Sequence, residues 1–150
     1  MITTIDTAAA VVVRLETVID ASLSRVWDLH TDVNAWPSWQ NDITTASASS
    51  DGPLAVGSVF HWSTFGLDID STVYAIEPGR RILWGGPAHG ITGVHEWAFT
   101  ERNGRTVVQT AESWDGEPVR ADRDGMQAAL EGSLTAWLAH LKQAAENASR

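Results

Sequence analysis

Cysteine is absent from the 150-residue chain. That removes disulfides, a thiolate nucleophile and any cysteine-held metal. Lysine is nearly absent as well. Lys142 stands alone and falls outside the predicted strands, so Schiff-base chemistry has no candidate there. The balance of charge is acidic, with 10 Lys and Arg against 19 Asp and Glu, net −9. Nucleic acid and anionic lipid are held by clustered cations, so neither is expected as a partner. No apolar run approaches the ~18 residues of a membrane span. The opening MITTIDTAAAVVV lacks the basic n-region of a signal peptide. A soluble, cytoplasmic protein is therefore expected. No glycine-rich phosphate loop or dinucleotide fingerprint occurs, and no cofactor is implied. His89 and His95 lack the carboxylate or cysteine company of a zinc site, so no metal is expected.

What is present in excess is tryptophan, with eight against one tyrosine. Indole is large, and its N–H seeks a partner when buried. Two uses are open for these rings: filling a core, or walling a ligand cavity. Apolar residues make up 43% of the chain, an ordinary globular value. The length suits one domain spanning residues 1–150 with a substantial core.

Periodicity orders the elements. Residues 122–147 place Met126, Leu130, Leu134, Trp137, Leu138 and Leu141 at three- and four-residue spacing, one face of a long amphipathic helix. Gly132 interrupts it, which suggests a kink, a close backbone approach or a tolerated glycine. Residues 11–20 alternate as a half-buried strand. Ser22 is a good N-cap for a short helix over 23–31. DVNAWPSWQ reads as a further helical turn or two, broken by Pro37. Strands follow at 43–48, 58–64, 67–76, 81–84, 91–101 and 105–114, with GGPAHG (85–90) as a flexible loop. Asn103-Gly104 is a hairpin turn. The order β, α, α, about six β, then α gives an α+β fold with an antiparallel sheet.

Strand parity nominates the chemistry. Gly93, His95, Trp97 and Phe99 share one face of their strand. Val108, Thr110, Glu112 and Trp114 share one face of the next. A desolvated carboxyl beside a neutral imidazole is a workable acid/base pair for enolisation, aldol closure or dehydration. The plainer alternative is a structural hydrogen-bonded pair. Phe60, Trp62, Trp97, Phe99, Thr110 and Trp114 are candidate cavity walls, with Met126 and Leu130 from the helix. Trp36 and Trp39 flank Pro37 as a lid or as a plug for the end of the sheet. His61 falls on the outward parity. His89 sits where a loop would gate a cavity mouth or simply connect strands. Asp68 and Asp70 read as a solvated edge.

Three blocks carry a family resemblance. Val26-Trp27, Asp32 and Trp36-Pro37-x-Trp39 form the first. Ser71-Thr72-Val73, Glu77-Pro78-x-Arg80-Arg81 and Leu83-Trp84 form the second. His95-x-Trp97-x-Phe99 with Glu112-Ser113-Trp114-x-Gly116 form the third. Together they resemble the START-like, or SRPBCC, superfamily, and within it the polyketide cyclase/dehydrase-type proteins. The resemblance implies a helix-grip fold, in which a curved antiparallel sheet wraps a long C-terminal helix, with two short helices after the first strand. It also implies an internal cavity for a hydrophobic small molecule. Two uses follow: a cofactor-independent cyclase, dehydratase or isomerase with lyase-type chemistry at His95 and Glu112, or a non-catalytic carrier or sensor. An interaction module of the same superfamily is the third reading. The chain is expected to work as a monomer or a homodimer.

Overall fold

The computed structural model describes residues 1–148. Strand β1 (Val11–Ile19) is followed by α1 (Leu23–Thr31) and a 3₁₀ helix (Val33–Ser38). Then come β2 (Ile43–Ala48), β3 (Val59–Thr64), β4 (Leu67–Glu77), β5 (Arg81–Ala88), β6 (Ile91–Arg102) and β7 (Arg105–Asp115). A short α2 (Glu117–Ala121) leads into α3 (Arg123–Ala148). Among the described residues the strands form one seven-stranded antiparallel sheet in the order β1-β7-β6-β5-β4-β3-β2. Register shifts in β2–β3 and β4–β5 help bend it. The long helix packs against β1 and α1. This is the helix-grip fold.

Local chemistry explains the element ends. The Ser22 hydroxyl accepts the Arg25 N–H at 3.2 Å and caps α1. Pro37 lies inside the 3₁₀ helix, so the turn expected there is tighter than an α-helix. The Asp122 carboxylate accepts the Gly125 N–H at 3.2 Å at the start of α3. Three hairpins close on two-residue turns, Phe65-Gly66, His89-Gly90 and Asn103-Gly104, with φ positive at both positions. That is the type I′ requirement. Asn103 adopts it readily. Phe65 (φ 50°) and His89 (φ 53°) are unusual occupants.

One expectation needs correction. Residues 85–90 are not a flexible loop, and β5 does not stop at Trp84. The strand continues to Ala88, and only His89-Gly90 turns. Gly85 makes this possible, because a Cβ there would lie 2.1 Å from the Gly93 carbonyl oxygen. Pairing with β4 ends at Thr72↔Gly85, so the missing N–H of Pro87 removes no ladder bond on that side.

The core lies between the concave face of the sheet and α3. Trp36, Phe60 and Trp97 are buried there with Leu130, Leu134 and Leu141. Trp36 meets Phe60, Trp62 and Trp137 edge-on, with centroids 5.1 to 6.1 Å apart. It is core, not a lid. A second, smaller cluster covers the outer face of the sheet, where Ile5 packs with Leu83, Val94 and Ala111. The Asp6 N–H donates to the Ser113 hydroxyl at 3.0 Å and ties this N-terminal segment to β7.

Candidate functional site

The β5–β6–β7 ladder sets the site. Register places Trp84 opposite His95 and His95 opposite Glu112, while Gly93 faces Trp114. Alternation sends these side chains to the concave face. Gly93 leaves room, since a Cβ there would sit 3.4 Å from the Trp114 ring and 3.5 Å from Glu112 Oε2.

The hydrogen-bond distances accommodate one continuous protonation pattern. The Thr110 hydroxyl donates to the Glu96 carbonyl at 3.3 Å. With that proton assigned to Glu96, the hydroxyl accepts from His95 Nε2–H at 2.7 Å. His95 Nδ1 is then a bare acceptor, 3.1 Å from Glu112 Oε1. Trp114 Nε1–H donates to Glu112 Oε2 at 2.7 Å. A proton on Glu112 Oε1 completes the chain, because an ionised carboxylate would face the lone pair of Nδ1. Electrostatics agrees. Burial pushes the Glu112 carboxyl up to about 8, opposed by the Trp114 hydrogen bond. Burial, with His30 nearby as a lesser cause, holds His95 well below its usual value. At neutral pH the pair is a carboxylic acid against a neutral imidazole.

Next to this rung lies a cavity of about 650 Å³, within the size range of small-molecule pockets. Trp62, Trp84, Trp114, Trp137, His95 and Glu112 are among its walls. From α3 it takes Leu130 and a run of small residues, Ala128, Ala129, Gly132, Ser133 and Ala136. Gly132 needs neither a kink nor a close approach to account for it. A Cβ there would meet nothing within 4 Å, because the position faces open space. The rim includes Phe65, Leu67, Ala88 and His89 from two hairpin ends. His89 Nε2–H donates to the Asp68 carbonyl at 3.0 Å and links those ends.

The nominated residues therefore divide. Trp62, Trp114, Leu130, His95 and Glu112 line the cavity. Phe60, Trp97, Phe99, Trp36, Trp39, Thr110 and Met126 are not among its walls. Trp97 is fully buried, between His30 (4.4 Å), His95 (5.0 Å) and Trp137 (5.4 Å). Phe99 packs edge-on to Trp27 at 5.4 Å, Phe60 and Trp36 lie in the core, and Trp39 and Met126 pack against it. Thr110 acts one step back, by holding His95. His61 is on the outer face as expected, hydrogen-bonded to Asp70 and, at 3.1 Å, to Ser49. Sequence reasoning missed Trp84 and the small face of α3. The first ends the expected strand 81–84, a run too short to assign Trp84 a face. The second was readable, since Ala128, Gly132 and Ala136 recur every four residues. Among the described residues, no group of three or more His, Cys, Asp or Glu could hold a metal, and no helix is long and apolar enough to cross a membrane.

Known proteins give the same frame. The family described as polyketide cyclase/dehydrase and lipid transport matches residues 10–146. No curated protein sequence matches the chain. Among solved structures, a hypothetical protein from Helicobacter pylori superposes with a TM-score of 0.82 at 19% identity, covering 97% of this chain and 98% of its own. An aromatase/cyclase from Streptomyces sp. R1128 gives 0.80 at 17% identity, covering 93% and 95%. A START superfamily protein from Mycobacterium smegmatis gives 0.75 at 12% identity, covering 91% and 97%. At these identities the structures share the fold.

Proposed function

We propose a function from the premise that the chain belongs to the polyketide cyclase/dehydrase and lipid transport family. It binds a hydrophobic small molecule in the cavity and acts on it as a cyclase or dehydratase. Glu112 is the acid/base group. The observation that carries this reading is a mostly buried carboxyl, bonded by Trp114 and 3.1 Å from His95 Nδ1, on the wall of an otherwise largely apolar cavity, where burial favours its acid form. Such a group can protonate a departing hydroxyl and, as carboxylate, take a proton from the carbon beside a ketone. His95 and Thr110 position it, and Trp114 pins its second oxygen. Tryptophan walls hold a flat substrate in a reactive fold, which supplies part of the rate gain. The 1–150 span acts as one domain in the cytoplasm.

A second reading is a non-catalytic carrier or sensor. It is favoured by one feature: both His95 nitrogens already have protein partners. Glu112→Gln separates the two, because an amide can donate to Nδ1 and accept from Trp114 without carrying a transferable proton. For the enzyme, dehydration of a bicyclic β-hydroxyketone falls about a hundredfold or more while its binding holds. A wild-type protein that binds this compound without converting it supports the carrier.

A further inference from the structure

We infer that the cavity takes an uncharged ligand and rejects carboxylates. This rests on the proposed binding role and narrows its ligand class.

Among the described residues, no Lys or Arg lines the cavity. Its ionisable walls are Asp42, Glu112, His89 and His95. Two are carboxyl groups, and His95 is held neutral by its burial. Asp42 stands 3.8 Å from His140 Nε2, so its nearby base is shared already. Two arginines of the sheet are engaged elsewhere. Arg81 pairs with Glu96 and bonds the Thr3 carbonyl; Arg105 is 3.8 Å from Asp20. A ligand carboxylate would thus be desolvated beside Trp62, Trp84 and Trp114 without a counter-ion, the costly case. The net charge of −9 adds repulsion from outside. Hydrogen-bonding capacity is nevertheless present. The Ser133 hydroxyl and Glu112 Oε2 belong to wall residues and can donate to and accept from a neutral group. A neutral carbonyl or phenol meets that chemistry. A fatty acid anion or a phosphate ester does not.

The test is calorimetric titration at pH 7 with a matched pair, 2-naphthylmethanol and 2-naphthoate. The alcohol binds saturably, and the carboxylate binds at least tenfold more weakly. Equal affinities, or a tighter carboxylate, overturn the inference and leave the binding role standing. Failure of both to bind overturns the binding role and this inference with it. Leu67→Arg gives an independent check. Leu67 is on the rim and part-exposed, so the substitution is compatible with folding. The added cation narrows the alcohol-to-carboxylate ratio by threefold or more. A wild-type ratio of tenfold that Leu67→Arg leaves unchanged refutes charge as its cause.

Discussion

Replacing Glu112 with Gln should change how stability depends on pH, in a direction the structure fixes. The native carboxyl is raised to about 8 from its usual 4.5, chiefly by burial. Between those values the folded chain holds a proton that the unfolded chain has released. Stability from this group is therefore complete below about 4.5 and is lost as pH rises through about 8. At about 1.4 kcal/mol per pH unit the full loss is about 5 kcal/mol. The side chain is only 15% exposed, so solvent screening trims this little. Gln keeps the shape and can serve both hydrogen bonds, yet does not titrate. Urea unfolding of both proteins at pH 5, 6, 7, 8 and 9 gives the difference directly. Wild type loses stability relative to Glu112→Gln as pH rises, by several kcal/mol in all. A difference that stays flat from pH 5 to 9 would mean the carboxyl is not held protonated, and the acid role of Glu112 would fall with it.

His30 gives the opposite limb: burial lowers it from 6.5 to about 3, so His30→Phe should flatten the loss of stability on acidification between those values by up to about 4–5 kcal/mol, read from urea unfolding. Trp97 and Trp84 should separate core from cavity. Trp97→Phe should cost about 1–3 kcal/mol in urea and leave naphthylmethanol affinity within about twofold, whereas Trp84→Phe should weaken that affinity several-fold. Gly132→Met should project into open space, raise the melting temperature through the ~1 kcal/mol helix advantage over Gly, and lower the affinity at least tenfold.

Legibility in the sequence followed the range of the physics. The short helix over 23–31 and its Ser22 cap needed only local signals, and both are present. The pairing of His95 with Glu112 needed strand parity and one Asn-Gly turn, and the register makes them direct neighbours. What parity does not encode is depth. Trp97 and Trp114 share an inward face, but Trp97 is covered by Trp137 and His30, while Trp114 reaches the void. Only the placement of α3 decides that. The turn at Phe65-Gly66 carries only its glycine as a local signal. His89-Gly90 was hidden inside an apparent loop, because the residue at the first positive φ is Phe or His in place of Asn. The N-terminal segment on the outer face carries no periodicity. Its anchors are the buried Ile5, a bond to Ser113 and the Arg81 bond to the Thr3 carbonyl.

The buried titratable groups bind stability and site chemistry to one pH window. Glu112 penalises the fold as pH rises from 4.5 toward 8, and His30 penalises it as pH falls from 6.5 toward 3. Between 4.5 and 6.5 their slopes oppose. His95, lowered in the same direction as His30, adds to the acid side. The fold is thus least burdened by these three groups near neutrality, where the imidazoles are unprotonated and Glu112 still carries its proton. That is the protonation state in which Trp114, Glu112, His95 and Thr110 form an unbroken donor-to-acceptor chain. Breaking the chain by titration from either side costs stability as well as the acid. Activity, if it rests on Glu112, should therefore fade with the alkaline limb of the stability difference between wild type and Glu112→Gln. An activity that persists unchanged at pH 9, where most of the acid form is lost, would place the chemistry on another group.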